Sequence, residues 1–299
     1  MKFIYIDPIN RNLPTRIKID DNRDTNYEAI LIRLLSGTLD LYNVDLNNKK
    51  IKQRINYFLY TFEKNRMVSP GILERINPEF INDEIINNYL LRSRNKDFFK
   101  ELVNELSCAI YFKHMNSHTT AFIHIYRFIE HMSITFPLFY SSISNNYYNS
   151  FGELKGFFDA TKNSGALNFH KVFFQKLFDC NDRTIPYNNE IELDFSFLNE
   201  NDFRGIKNSF ITVINSEKNL KIDDFRFENK KVYFKFSYMH DLIITFRNRF
   251  FHYMPTQKHN LSTSYFISEI FFKVFNDFSL NWIGYLFGEI TERRIEKLF

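Results

Sequence analysis

An arginine, an asparagine and a histidine stand close together in the segment DLIITFRNRFFHYMP, as Arg247, Asn248 and His252. Histidine can take or return a proton near neutral pH. Arginine presents a planar fork that fits a phosphate and the charge that develops on its oxygens. The asparagine amide can orient either the imidazole or the phosphate. Together the three suit phosphodiester chemistry. They need no metal when the substrate carries its own nucleophile, as RNA does in the ribose 2′-OH beside each phosphate. The same residue types also suit an ordinary helix end, where cations meet the last carbonyls and the negative end of the dipole.

Spacing decides what the surrounding elements must do. On an ideal helix Arg247 and His252 point about 140° apart, so they converge only if the last turn opens. Pro255 disfavours helical geometry at Met254 and predicts a helix end there. Asn248, four residues before His252, faces it on an intact helix. DLIITF supplies the buried face of that helix, read over 238–253.

Upstream, the alternating runs KFIYID and TRIKID predict a short β-hairpin within 1–20. Helical periodicity then covers 25–42, 49–65, 77–91, 95–115 and 116–142, the last ending or kinking at Pro137. Two more helices are expected over 148–161 and 166–179. Strict alternation marks a strand at 190–198, followed by a helix at 199–216. DFRFENKKVYFKFS (224–237) reads as a hairpin turning at ENKK. Helices at 262–278 and 279–297 follow the motif helix, the second opening on a Ser279 cap. The expected fold is mainly α: a helical bundle over 115–299 with a β insertion at about 190–237, preceded by a mostly helical region over 1–114. The polar stretch HMNSHTT (114–120) marks the boundary.

With an apolar helix, then Arg247-Asn248, three variable residues and His252, and then the loop MPTQKHN, the segment resembles the HEPN superfamily of small helical-bundle domains. The resemblance covers about 115–299; residues 1–114 fall outside it, and the β insertion is not part of the minimal bundle. It implies a metal-independent endoribonuclease of toxin or abortive-infection type, acting as a homodimer with a composite site. Arg247 and His252 would carry cleavage with Asn248 in support, leaving a 2′,3′-cyclic phosphate and a 5′-OH. An antitoxin or regulatory partner goes with that setting. Family members that have lost the catalytic pair serve as non-catalytic binding or assembly modules, which is the alternative expectation.

Further polar groups invite roles. His124, Arg127 and His131 fall at i, i+3 and i+7 on one helix face, with Glu130 beside them. The resemblance implies a charged residue on an early bundle helix reaching the site, a part open to Arg127 or Glu130, with His131 and His240 as further supports. A buried ion pair between helices, or a partly exposed stripe, explains the same cluster. Arg249 and Lys258 are candidate RNA contacts, with Arg249 expected to face outward. His114, His118, His124 and His131 invite a zinc reading, but no HExxH is present and no cysteine stands at ligand spacing. No metal or other cofactor is expected.

Composition sets the wider bounds. The 36 Phe and 17 Tyr accompany many Asn, Ile and Lys, residues that share A/T-rich codons, so the aromatics do not by themselves argue for a base-stacking surface. A net charge of +4 permits nucleic-acid contact without any basic arm. Cys108 and Cys180 sit in apolar surroundings without CxxC spacing, as buried thiols of a reducing compartment do. No apolar run is long enough to span a membrane and no signal peptide opens the chain, so a cytoplasmic protein is expected. The absence of P-loop, GxGxxG and GxSxG sequences argues against nucleotide hydrolysis, dinucleotide redox and α/β-hydrolase chemistry.

Overall fold

The computed structural model describes residues 1–8, 26–45, 50–58, 88–91, 95–143, 147–161, 171, 173, 189–216, 220–251, 261 and 268–296. They are mainly helical, with two three-stranded antiparallel sheets. Among them no helix is long and apolar enough to cross a membrane.

Strand β1 (Phe3–Ile6) pairs with β2 (Asp40–Asn43), which in turn pairs with β3 (Lys50–Ile51). TRIKID, the expected hairpin partner of KFIYID, lies outside the described residues. Two other expectations are corrected. The helix expected over 25–42 is only α1 (Tyr27–Leu35), capped by Asn26, whose side chain accepts from the Glu28 and Ala29 N–H groups. It stops because Gly37 adopts φ +71°, where a side chain would strain, and because Ser36 and Thr38 hydroxyls take over the Arg33 carbonyl. The helix expected over 49–65 is extended at its start instead, in β3 and in the strap 52–58 that leads to Tyr57. The described part of the helix expected over 77–91 is its last turn, residues 88–91.

Helix α2 (Lys96–His114) packs on α1 and on α3 (His118–Ile143), and the polar break at 114–120 is the turn between α2 and α3. Pro137 lies inside α3, which runs on past it. Helix α4 is Tyr147–Thr161; of the helix expected over 166–179, only Lys171 and Phe173 are described, both helical. The β insertion forms as strand β4 (Glu190–Asp194), helix α5 (Glu200–Asn215) and a hairpin of β5 (Arg226–Glu228) and β6 (Lys231–Lys235). Sheet order is β4-β6-β5. Asn229 and Lys230 both take positive φ, the geometry of a tight type I′ turn. Phe210 of α5 meets Phe227 and Phe234 of this sheet and Phe246 of the motif helix α6 (Met239–Phe251).

The last element, α7 (Ser268–Glu296), is one helix, not two. Ser279 starts nothing, because its hydroxyl donates to the Phe275 carbonyl within the helix, so the serine is satisfied without a cap. Helix α7 is buried on most of its circumference, as a central helix must be. The strap 52–58 lies directly on it. Asn281 Nδ2 donates to the Tyr57 carbonyl at 3.0 Å, and a Cβ on Gly284 would come within 2.6 Å of the Tyr57 carbonyl carbon. Gly284→Ala is therefore expected to cost about 1–3 kcal/mol of stability by forcing backbone apart. Gly152→Ala, on the exposed face of α4 with nothing within 4 Å of the new Cβ, should be neutral or stabilise by up to about 1 kcal/mol. Denaturant midpoints compare the two.

Cys108 is a buried thiol pushed up to about 11, chiefly by burial and then by the Glu105 carboxylate. Cys180 lies outside the described residues.

Candidate functional site

Helix α6 presents Met239, Leu242, Ile243 and Phe246 to the core, a spacing of three, four and seven residues. Phe246 lies 4.5 Å from Phe271, 5.3 Å from Phe275 and 5.1 Å from Phe210, between ring centroids. Its immersion sets the rotation of the helix, and so where the next residue points.

Arg247 points at α3. Its guanidinium carbon lies 4.5 Å from the centroid of the Tyr126 ring, and its Nη2 is 3.8 Å from Glu130 Oε1. Its Nη1 donates to Asn248 Oδ1 at 3.0 Å. Tyr126 and Glu130, one helical turn apart, form a seat for the arginine: an aromatic face below and a carboxylate at the side. Burial pushes the Tyr126 hydroxyl far up, Glu130 adds to this through its charge and hydrogen bond, and Arg247 partly offsets it. The phenol thus stays protonated. The Arg247 side chain is 25% exposed and Glu130 46% exposed, so the site opens to solvent. At 3.8 Å the ion pair is loose, and a better acceptor can replace it.

The three polar positions of the motif divide. Arg247 and Asn248 are brought together, whereas His252 lies outside the described residues, as does Lys258. The chain is again hydrogen-bonded to α6 at Leu261, whose N–H donates to the Arg249 carbonyl at 3.0 Å. Arg249 does not face outward as expected. It is half-buried and donates from Nε to Ser216 Oγ and from Nη2 to the Ser216 carbonyl, at the C-terminal cap of α5. Phe250 and Phe251 anchor the helix end in the core against Phe272, with Phe251 also stacked on Phe122.

No protein-family model, curated protein or solved structure matches this chain. The site therefore stands on its own geometry.

Of the expected supports, Glu130 reaches Arg247 but Arg127 turns the other way, to Glu105 of α2 at 3.0 Å. His131 sits with Arg127 on the solvent-facing side of α3. His240 is at the opposite end of α6, buried, 5.9 Å from the Trp282 ring. Seven residues of helix, about 10 Å of rise, separate it from Arg247, which removes it from the site. The histidines whose spacing invites a zinc reading also divide. His118 opens α3 beside Glu269, which accepts from its backbone N–H and that of Thr119, while the His124 ring is bonded to Glu105. Among the described residues no three His, Cys, Asp or Glu groups gather as metal ligands.

Tyr126 and Glu105 escaped the sequence reading. Tyr126 stands four residues before Glu130, the spacing of neighbours on one helix face, which was the available signal. Glu105 interrupts the apolar face of α2 between Leu102, Leu106 and Ala109, a buried phase where a carboxylate must find partners.

The far end of α6 gives a pH expectation. Burial pushes the His240 imidazole below its ordinary value, against the pull of Asp241. Burial raises the Asp241 carboxyl, but hydrogen bonds from His240 and Lys171 outweigh it and hold it low. Both groups bind protons more weakly folded than unfolded. Their stabilisation is therefore complete at neutral pH. It is lost as pH falls, first below the ordinary histidine value of about 6.5 and then below about 4 for the carboxyl. His118, also held low by burial, adds to the first step. The thermal midpoint should fall between pH 7 and pH 5, and His240→Phe should make that fall shallower. An unchanged pH profile in the variant would contradict this assignment.

Proposed function

We propose that the chain is a metal-independent endoribonuclease of HEPN type, serving as an antiphage, abortive-infection or toxin effector. The observation that carries the reading is the seating of Arg247. An arginine stacked on Tyr126, loosely paired with a solvent-exposed Glu130 and bonded to Asn248, offers its remaining N–H groups to an incoming anion.

A backbone phosphate displaces Glu130 from the guanidinium and takes the charge-assisted bonds in its place. The ribose 2′-OH attacks that phosphate, forming the new O–P bond as the 5′ oxygen leaves. Arg247 stabilises the additional negative charge on the phosphoryl oxygens, and Asn248 steadies the guanidinium. His252, one residue beyond the described end of α6, exchanges the proton between the attacking and departing oxygens. A 2′,3′-cyclic phosphate and a 5′-OH remain. Two copies of the chain meet with their motifs facing, which supplies the second histidine.

Purified protein incubated with RNA in excess EDTA should leave those ends. Light scattering should report a dimer. Binding of RNA without cleavage, together with equal growth of cells expressing the wild type and His252→Ala, would return the chain to the alternative of a non-catalytic assembly module.

A further inference from the structure

On α3, Ile123, His124, Arg127, Glu130, His131 and Leu138 are exposed or half-exposed and recur at helical spacing. Arg247 reaches this stripe from α6, through Glu130. From the other side α2 brings Glu105, whose side chain is 2% exposed. Both of its oxygens are engaged: Oε2 with His124 Nδ1 at 2.7 Å and Oε1 with Arg127 Nη2 at 3.0 Å. A carboxylate only accepts, so the His124 Nδ1 is the donor in this bond and the ring turns its Nε2 away from Glu105, where an N–H can meet an anion. Phe112 fixes the plane of the imidazole, stacked on it within 6° at 5.4 Å between centroids. Arg127 is 53% exposed and commits one of its five N–H groups to Glu105.

We propose that His124 and Arg127, held from beneath by Glu105, form a second phosphate-binding point, which takes a backbone phosphate of the RNA strand that Arg247 engages. This rests on the ribonuclease reading above. The partner is single-stranded RNA crossing α3: Arg127 and Glu130 are neighbours on the exposed stripe, so the two guanidinium groups lie to either side of one helix face. Neither point needs a base contact. The track therefore positions the strand without reading its sequence. His124 and Arg127 act as binding residues and Glu105 as their positioning residue; cleavage stays with the motif of α6.

The test uses an oligouridylate with every 2′-OH methylated, which cannot be cleaved, and follows its binding to the full chain by fluorescence anisotropy across a salt series. Each phosphate contact on a single strand contributes about 0.7 to the slope of log K against log salt. Arg127→Ala should weaken binding by about 5–10-fold at low salt and flatten that slope by about 0.7. Arg127→Lys, which keeps the charge, should restore the slope, whereas a purely structural ion pair would leave the slope unchanged in both variants. His124→Gln should weaken binding by less, because the amide still offers an N–H at this position. Wild-type affinity and slope in Arg127→Ala, alongside a loss in Arg247→Ala, would overturn the second point and leave the ribonuclease reading standing. The reverse separation is equally clear: binding lost in Arg127→Ala by a wild type that never cleaves RNA would uphold the track and reject the catalysis. Displacement of the strand by inorganic phosphate at equal phosphate concentration would show a free-anion site and overturn the proposal.

Discussion

Arg247→Ala should lower RNA cleavage in EDTA by about 10²–10³-fold, the usual effect of removing one preorganised donor from a charge that develops in the transition state. His252→Ala should cost about 10²–10⁴-fold, the range for a general acid or base. The double variant should be little worse than the poorer single one, since the two groups act on the same step. Arg247→Lys keeps the charge but loses the fork and much of the stacking on Tyr126, so it should recover only part of the rate. Stability separates these effects from unfolding. The Arg247 side chain is a quarter exposed and its ion pair is 3.8 Å long, so its removal should change stability by no more than about 1 kcal/mol. Initial rates and thermal midpoints on the same preparations provide the comparison. Cleavage that survives both substitutions, or that needs added metal, would reject the mechanism.

Phe246→Ala should be the most destabilising single change in the motif helix. The ring is fully buried and touches Phe210, Phe271 and Phe275, so its loss removes apolar burial and leaves a cavity that three aromatic neighbours cannot easily close. A cost of about 3–5 kcal/mol is expected, read as a lower denaturant midpoint at unchanged slope. Phe246→Leu should cost less. A loss below about 1 kcal/mol for the alanine variant would mean that Phe246 does not anchor α6, and the account of how Arg247 is aimed would fall with it.

The motif helix and the β insertion were legible because their signals are local. Helix α5 fills the stretch read as helical over 199–216, with Asn199 and Ser216 as its caps, and the ENKK turn forms between the two alternating runs. Residues 36–42 and 50–58 were misread for the same reason in reverse. Ile51, Gln53, Tyr57 and Phe58 are buried without any helical phase, because the strap gains its burial from contacts with α1 and α7 rather than from a face of its own. A periodicity argument has no access to such contacts. Ser279 shows the limit of single-residue signals, since the hydroxyl that caps a helix in one setting bonds back into the helix in another.

From its residues alone the chain determined which groups are available for chemistry and that a helix carries Arg247 and Asn248 beside each other. It determined equally that His124 and Arg127 share one helix face. Only the tertiary structure decided what those groups meet. Phe246 in its aromatic nest turns Arg247 onto Tyr126 and Glu130, while Glu105 from a different helix draws Arg127 the other way. Spacing along a helix sets the angle between neighbours, but their partners come from helices distant in the chain. Those are chosen by how the apolar faces pack.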